Sequence, residues 1–443
     1  MKLGFIALSG VRAHNSELTR LGLTLPGFVE RNRIIASLPS LGLLTLAGLT
    51  PATFNVEYIE MPGDVESEPL GAFDVVALSS FTARIKDAYL LADRYRSAGV
   101  KVILGGLHVT SLPMEAMQHA DSIVIGEGEP IWPELLSDLQ AGTLKPIYDS
   151  HRREFSLDDA PMPRFDLLDA GRYNRLTVQT QRGCPFRCEF CAGSILISPK
   201  YKLKPVGKII AEIRRIKEIW PQPFIEFADD NTFVNKHRSK ELMRAVEKEH
   251  VRWFTETDVS VAEDNELLSL MRDSGCAQVL IGFESPVLLG LDGLEQNANW
   301  KAKQVDHYLE AICRIQDHGI TVNGCFILGL DGTGTESFDR VFEFIIASGL
   351  YEAQITLLTP FPGTPLYQRL QREGRILRED AWELCTLFDV NFRPSNMTVA
   401  ELESGFCQLA TKLYSAECTH ERRERYHNRL RDVRRATLGL KEG

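Results

Sequence analysis

Three of the nine cysteines of the chain lie close together in the stretch QRGCPFRCEFCAG at 181–193. Cys184, Cys188 and Cys191 give the spacing C-x3-C-x2-C. A structural zinc site normally takes four protein ligands, and a redox disulfide would leave Cys184 unused. A cubane of four irons held by three thiolates instead keeps one iron free for a small molecule. The spacing therefore favours an iron–sulfur cluster with an open position, and a zinc site completed by a distant fourth ligand is the alternative.

The composition narrows the class of protein that carries this loop. The chain has 443 residues, of which 44% are hydrophobic and 25% charged, as in ordinary globular proteins. A net charge of −10 argues against a general binder of nucleic acid or anionic membranes. No apolar run approaches the roughly 20 residues of a membrane span, and the first ten residues resemble a β-strand more than a signal peptide. Nine scattered cysteines form no disulfide framework, which predicts a cytoplasmic protein whose other six cysteines are core residues.

The first 150 residues alternate strand-like and helix-like segments. Val- and Ile-rich strands separated by helices predict a parallel sheet covered on both faces, the doubly wound arrangement. Ligands bind such sheets at the carboxyl ends of the strands. Small residues that follow the predicted strands would let a large ligand approach the backbone, or they form ordinary tight turns: Ser79, Gly105, Gly106 and Gly126.

A second unit follows a polar segment at 151–170, which predicts a linker between domains. Six strand-like segments alternate with helical ones over 171–370. Six βα units are too few for a closed eight-stranded barrel and predict a partial one, with the chemistry at the carboxyl ends of the strands. Residues 371–443 predict a helical C-terminal region, in which the basic run at 420–435 is most simply a solvated helix.

The cysteine loop resembles that of the radical S-adenosylmethionine (SAM) superfamily, in the subfamily with an N-terminal cobalamin-binding-type domain. Five further segments resemble strand ends of that barrel in the same order: EFADDNTFVN at 226–235, FTETDVSVAED at 254–264, LIGFES at 280–285, VNGCFILGL at 322–330 and LLTPFPGTPLY at 357–367. The resemblance implies an α/β chain with a cobalamin-binding-like Rossmann domain at 1–150 and a partial (β/α)6 radical SAM barrel. It also implies a [4Fe–4S] cluster on Cys184, Cys188 and Cys191, with SAM chelating the open iron and cleaved reductively to a 5′-deoxyadenosyl radical.

The same resemblance suggests which side chains hold SAM. Phe190 matches the aromatic residue that packs near the adenine, and Asp229 and Asp230 suit the ammonium group. Glu284 and Ser285 suit a ribose hydroxyl or the amine. The remaining candidates are polar or small residues at later strand ends: Thr257, Asp258, Gly324, Thr359 and Phe361. Each alone is weak evidence, since a strand-end Asp is often a helix N-cap.

Whether the first domain binds cobalamin is a separate question. The chain lacks a D-x-H-x-x-G motif, and His108 follows the fourth predicted strand, so the role of cobalt ligand is not transferred to it. Enzymes of the subfamily often bind cobalamin without a protein imidazole. We therefore expect cobalamin in the His-off state at the strand ends around Gly105 and Gly106, the alternative being a domain kept for architecture.

The implied function is cobalamin-dependent methylation of an unactivated carbon, or a phosphinate phosphorus, of a small metabolite. Alternatives that keep the cluster without cobalamin are radical cyclisation, rearrangement or 3-amino-3-carboxypropyl transfer. An iron–sulfur electron carrier or sensor is a third hypothesis, which the polar set at the strand ends disfavours. The expected partners are a small-molecule substrate and an external reductant such as flavodoxin or ferredoxin, with neither nucleic acid nor a membrane span.

Overall fold

A six-stranded, all-parallel sheet forms the first half of the computed structural model, which describes residues 1–11, 13–21, 38–61, 63–193 and 200–437. The strand order is β2-β1-β3-β4-β5-β6. The strands are β1 Lys2–Leu8, β2 Asn55–Glu60, β3 Val75–Ser80, β4 Lys101–Gly105, β5 Ser122–Ile125 and β6 Ile147–Asp149. Five of them lie where the sequence predicts strands, and the short β6 at the sheet edge was not predicted.

Helices cover both faces of this sheet. The covering helices are α2 Leu41–Leu49, α3 Ile85–Ser97, α4 Leu107–Ser111, α5 Pro113–Ala116 and α6 Trp132–Ala141, whereas α1 Ser16–Leu21 packs its Leu18 in the core of the second half of the chain. Because successive side chains of a strand point to opposite faces, Phe5 packs in the core beneath α2 and α6, whereas Ile6 packs in the core beneath α3. The doubly wound arrangement predicted for this half is confirmed.

The second half is an open barrel of six parallel strands in the order β14-β13-β12-β11-β10-β7. Its strands are β7 Leu176–Val178, β10 Phe224–Phe227, β11 Arg252–Thr257, β12 Cys276–Glu284, β13 Thr321–Leu328 and β14 Glu352–Leu357. Its outer helices are α7 Val206–Ile219, α8 Lys236–Glu247, α9 Asn265–Asp273, α10 Trp300–Gln304, α11 Tyr308–Asp317, α12 Glu336–Ser348 and α13 Pro365–Arg372. The partial (β/α)6 barrel is therefore confirmed as well.

A small antiparallel hairpin, β8 Gln181–Arg182 with β9 Lys202–Leu203, lies beside the barrel sheet and was not predicted. Two-residue strands carry too little periodicity to be recognised from sequence. The hairpin matters for function because it brackets the cysteine loop at both ends.

The predicted linker is packed rather than extended. Short 3-10 turns bury Leu157 and Phe165, and Arg164 donates its backbone N–H to the carbonyl of Leu44 on α2. The segment therefore fixes the first sheet against the barrel. The domain ranges of the sequence analysis also include residues 12, 22–37, 62, 194–199 and 438–443, which lie outside the described part of the chain.

The C-terminal region is helical, with α14 Val399–Leu413 and α15 Ala416–Thr437. The interpretation of 420–435 as a solvated helix is only partly right. On α15 the Arg422 and Tyr426 side chains are buried, and Arg423 pairs with the buried Glu352 of β14. Within the described residues, no helix combines the length and apolarity needed to cross a bilayer.

Candidate active site

The three clustered cysteines lie on the loop that follows β7, at the carboxyl end of the barrel strands. Cys184, Cys188 and Cys191 all line one cavity of about 350 Å³ inside the barrel mouth. The positive φ of 81° at Gly183, a conformation that glycine adopts readily, turns the chain from β8 into the loop. The sequence thus brings three thiols to the edge of the sheet where barrels of this kind carry chemistry.

Contacts from outside the loop hold it in shape. The buried Glu295 accepts backbone N–H groups of Arg187, Asn297, Ala298 and Trp300. Burial opposes ionisation of Glu295, but these donors outweigh it and keep its pKa below the usual range. Anchored in this way, the loop is preorganised before any ligand binds.

A second anchor ties the loop to the end of the barrel. The Arg369 guanidinium on α13 lies 2.7 Å from the Glu189 carboxylate, and the Phe186 ring stacks on Trp300 with the centroids 4.6 Å apart. Glu189 lies between two of the loop cysteines in sequence, so this ion pair fixes the segment that carries Cys188 and Cys191.

The donor set fits an iron–sulfur cluster. Burial raises the pKa of Cys184 to about 11 and of Cys188 to about 12, so their thiolates need a cationic partner at the cavity. Metal coordination deprotonates thiols outright, and clusters are held by such thiolates. In the described part of the chain, no three His, Cys, Asp or Glu side chains are grouped to hold a single metal ion.

Seven of the side chains proposed to hold SAM line the same cavity as the thiols. They are Phe190, Asp230, Thr257, Asp258, Glu284, Thr359 and Phe361. They come from the cysteine loop, from the ends of β10, β11 and β12, and from the segment after β14. Asp258 also caps the turn that follows it, accepting the backbone N–H of Ser260 at 2.8 Å. The structure brings these residues together as the order of strand ends predicts.

Asp229, in contrast, does not line the cavity. Its buried carboxylate accepts the backbone N–H groups of Thr180 and Gln181 and the hydroxyl groups of Thr180 and Thr232. It therefore ties β10 to the segment that leads into the cysteine loop. This geometry does not support the expectation that Asp229 binds an ammonium group, because both oxygens of the Asp229 carboxylate accept hydrogen bonds from the protein.

Ser285 and Gly324 also differ from the expectation. The Ser285 hydroxyl accepts the backbone N–H of Val287 at 3.0 Å and so shapes the turn after β12. A Cβ added at Gly324 would lie 2.8 Å from Leu350 and 3.2 Å from Phe283, in the packed outer layer of the barrel. Glycine at this position allows strand–helix packing, and it gives no close approach to a cofactor.

Glu284 adopts an unusual conformation at the cavity. Its φ of 61° is left-handed, which a non-glycine residue rarely adopts, and such strain collects at functional sites. Its Oε1 lies 2.7 Å from Lys301 Nζ, which also donates to the carbonyl of Gly282. Lys301, on the short helix α10, was not predicted because no motif marks it.

Sequence reasoning also missed two inward-facing residues of the barrel. Cys325 lines the cavity, although it was expected in the core with the other isolated cysteines. Glu256 lines it too, and period-2 alternation along β11 could have shown that this side chain faces inwards. The Glu256 side chain is open to the cavity yet enclosed by the barrel, and this burial, with Glu226, Asp230 and Glu284 nearby, raises its pKa to about 8.

A second cavity, of about 320 Å³, opens at the carboxyl ends of the first sheet. Ser79, Gly105, Gly106 and Gly126 all line it, with Trp132 beside them. A Cβ added at Gly105 would meet nothing closer than 3.6 Å, whereas Gly106 and Gly126 have φ values of 113° and 78°. Glycine at position 105 thus leaves room in a cleft that a large planar group such as a corrin would enter, whereas an added Cβ at Gly126 would collide with Ser150.

No histidine lines this cleft among the described residues. His108 is buried on the other side of β4, where its Nε2 lies 3.1 Å from Glu115 and its ring packs against Trp382 of the C-terminal region. His108 therefore lies outside the cleft, and a corrin there would have no imidazole ligand among the described lining residues.

The two cavities meet at Asp230. Its side chain lines both, and its Oδ2 accepts the backbone N–H of Gly183, next to the first cysteine. Gly193, at the far end of the loop, is held so close that an added Cβ would lie 2.9 Å from Asp230 Oδ1. Ligands in the cleft and in the barrel would therefore face each other across one carboxylate.

The fold and this paired site define a two-domain protein, a cobalamin-binding-type sheet joined to a radical SAM barrel. Family models agree with each part. The model of the radical SAM superfamily matches residues 178–345, that of the B12 binding domain matches 34–136, and that of a domain of unknown function matches 364–439.

Curated relatives span most of the chain. Bacteriochlorophyllide d C-12(1)-methyltransferase of Chlorobaculum tepidum is 29% identical over 389 residues, which are 86% of this chain and 84% of the relative. Hopanoid C-2 methylase of Rhodopseudomonas palustris is 27% identical over 78% of this chain and 67% of its own.

Solved structures share the fold across the whole length. The radical SAM methyltransferase TsrM of Kitasatospora setae, solved with cobalamin and a [4Fe–4S] cluster, has a TM-score of 0.64 at 15% identity and covers 98% of this chain and 99% of its own. The cobalamin-dependent radical enzyme OxsB has a TM-score of 0.67 at 14% identity, over 99% of this chain and 72% of its own. The chain therefore contains a B12-binding domain followed by a radical SAM domain.

Proposed function

We propose that this chain is a cobalamin-dependent radical SAM methyltransferase acting on a small molecule. One observation carries the proposal: a cavity with three thiols and a glycine-lined cleft meet at the Asp230 carboxylate. Methyltransferases among the curated relatives and cobalamin-bound structures of the same fold support it.

In this proposal each cavity holds its own cofactor. Cys184, Cys188 and Cys191 hold a [4Fe–4S] cluster and leave one iron for SAM, and the cleft at Gly105 holds cobalamin. When bound, the cluster supplies the electron that cleaves the sulfonium, and the corrin relays a methyl group. An external reductant, such as flavodoxin or ferredoxin, would renew the cluster electron.

The chain's own residues bind and orient SAM. Asp230 and Asp258 present carboxylates to the ammonium group, a charge-assisted hydrogen bond stronger than a neutral one. Glu284, held in place by Lys301, presents its free oxygen to a ribose hydroxyl. Phe190 and Phe361 provide aromatic surface for the adenine, and the apolar wall of the barrel excludes water.

Anaerobic reconstitution tests this function. Protein supplied with iron, sulfide and hydroxocobalamin should gain the roughly 400 nm absorbance of a cluster together with a corrin spectrum. With SAM and dithionite it should release 5′-deoxyadenosine and S-adenosylhomocysteine, the second product reporting loss of the methyl group. Release of methylthioadenosine would instead indicate aminocarboxypropyl transfer. Turnover without any uptake of cobalamin would contradict the proposal.

A further inference from the structure

Two polar side chains project into the barrel cavity from β11 and β14. Glu256 of β11 and Gln354 of β14 both line it, beside Leu280 and Cys325 of the two strands between them. Glu256 is the penultimate residue of β11 and Gln354 lies three residues before the end of β14, and a strand rises about 3.3 Å per residue, so their backbones lie about 3 Å and about 10 Å below the carboxyl ends of their strands. We call Glu256 and Gln354 the cavity floor.

The floor differs from the other polar groups of the cavity in having no partner of its own. Asp258 accepts the Ser260 N–H, and Glu284 pairs with Lys301. For the side chains of Glu256 and Gln354, the described residues provide no hydrogen-bond partner. Both side chains are open to the cavity, so a ligand that displaces water from it must satisfy their hydrogen bonds or lose free energy.

The charges around the floor limit what that ligand can be. Lys301 is the only cationic side chain among the described residues of the cavity lining, and its Nζ is already 2.7 Å from Glu284. Asp230 and Asp258 add negative charge nearer the mouth. A carboxylate or phosphate of a ligand would meet repulsion without a compensating cation.

The Glu256 carboxyl itself remains largely protonated near neutral pH. Burial, followed by the charges of Glu226, Asp230 and Glu284, raises its pKa to about 8, and Arg175 opposes this only weakly because it pairs with Glu226. A protonated carboxyl donates one hydrogen bond and accepts others, as an amide does. The floor therefore offers two neutral groups that both donate and accept.

We propose that Glu256 and Gln354 recognise an uncharged hydroxyl or amide group of the substrate, whose remaining body is apolar and packs on Ile327, Leu358 and Leu387. These three residues line the cavity above the floor. The inference rests on the proposed function, since it assigns this part of the barrel to the substrate, and it names the substrate as a neutral, hydrogen-bonding, largely apolar molecule.

Three probe molecules that share a cyclohexyl ring and differ only in their polar group test the cavity floor directly. Reconstituted protein saturated with SAM, without reductant, is titrated at pH 7 with cyclohexanecarboxamide, cyclohexanecarboxylate and cyclohexylmethylamine by isothermal calorimetry. The amide should bind at least about 10-fold more tightly than the carboxylate, since a satisfied hydrogen bond contributes roughly 1–1.5 kcal/mol, and more tightly than the amine, to which the protonated Glu256 offers no counter-charge. Glu256→Leu should weaken amide binding by about 10-fold, and Glu256→Gln by less than about 3-fold.

Gln354→Leu provides a second variant in case Glu256→Leu does not fold, and Glu266→Gln, on the exposed face of α9, is the control that should bind as wild type. The inference is overturned if the carboxylate or the amine binds as tightly as the amide, if the amide does not bind, or if neither floor variant weakens it. Iron content, corrin spectrum and 5′-deoxyadenosine release measured on the same samples separate these outcomes from failure of the proposed function.

Discussion

Arg182, two residues before the first loop cysteine, forms an ion pair with Glu129 of the first domain, with Nη2 2.6 Å from Oε1. Its other terminal nitrogen lies 2.9 Å from Glu127, which also pairs with Lys202 of β9. Both glutamates line the glycine-rich cleft. Burial opposes the ionisation of Glu129, but the charge of Arg182 keeps the pKa of Glu129 below its usual range. One buried network thus connects the proposed corrin site to the proposed cluster loop.

Arg182→Met should lower the free energy of unfolding by about 3–5 kcal/mol, because it leaves the buried Glu129 without its ion-pair partner and Glu127 with Lys202 alone. Denaturation followed by circular dichroism measures the loss. Arg244→Met is the matched control: Arg244 and its partner Glu266 are both more than half exposed, and such a pair contributes at most about 1 kcal/mol. Equal effects of the two variants would contradict the assigned role of the network.

Changing Cys184, Cys188 and Cys191 together to Ala should remove the roughly 400 nm absorbance and the bound iron, because clusters are held by thiolates. Iron analysis of the reconstituted protein measures this. Cys313→Ala, a change at a half-buried cysteine on α11 away from the loop, should leave the iron content as in wild type. Iron retained in the triple variant would point to a second site, for example at the buried Cys385, Cys407 and Cys418.

The strand periodicity predicted both sheets because each strand repeats its pattern over several residues. Five of six strands in the first sheet, and all six of the barrel, lie where Val- and Ile-rich segments indicated them. The edge strand β6 and the two-residue strands β8 and β9 were missed because such short segments give no period, whereas the equally short β7 lies within a longer strand-like segment.

The site could be predicted only as far as the sequence orders its strand ends. The sequence predicts that Asp229 and Asp230 follow β10. It does not show that the Asp229 side chain faces the protein whereas that of Asp230 faces the cavity. Lys301 comes from a short helix far from any motif, and its pairing with Glu284 depends on tertiary packing. No local sequence pattern predicts such contacts, because they form only when distant segments pack together in the folded chain.

The two neighbouring aspartates should respond differently to substitution. Asp229→Ala leaves the buried N–H groups of Thr180 and Gln181 without acceptors, so the free energy of unfolding should fall by about 2–4 kcal/mol. Asp230→Ala removes a charge-assisted acceptor from the cavity and should weaken SAM binding by about 10-fold, with a smaller change in stability. Equilibrium dialysis and denaturation of the reconstituted proteins measure the two effects. An Asp230→Ala protein that binds SAM as wild type would remove this residue from the proposed SAM site.

Stability should fall as the pH rises from about 5 to about 8, because the pKa of Glu256 is raised to about 8 in the folded chain. A carboxyl with a raised pKa holds its proton more tightly in the folded than in the unfolded chain, so its contribution is complete below the ordinary carboxylate range and lost as pH passes through about 8. Asp229, with a pKa raised to about 6, contributes in the lower part of this window, but it does so equally in wild type and in the Glu256→Gln variant. Melting temperatures of wild type and Glu256→Gln should agree near about pH 5 and separate as the pH rises to about 8, because only the wild type loses this contribution. Parallel curves would show that Glu256 does not titrate there.

Filling the cleft of the first domain should abolish cobalamin uptake while leaving the cluster in place. Gly105 is the suitable position, because an added Cβ would enter the cleft with no atom closer than 3.6 Å, whereas Gly106 has a φ of 113° that would strain any larger residue. Gly105→Phe should therefore block a corrin sterically and retain wild-type iron content, since the thiols lie in the other cavity. With SAM and dithionite, 5′-deoxyadenosine should still form while S-adenosylhomocysteine disappears. Gly207→Phe, at a barrel glycine with nothing within 4 Å of an added Cβ, should bind cobalamin normally. Cobalamin bound equally by both variants would show that the glycine-lined cleft is not where the corrin lies.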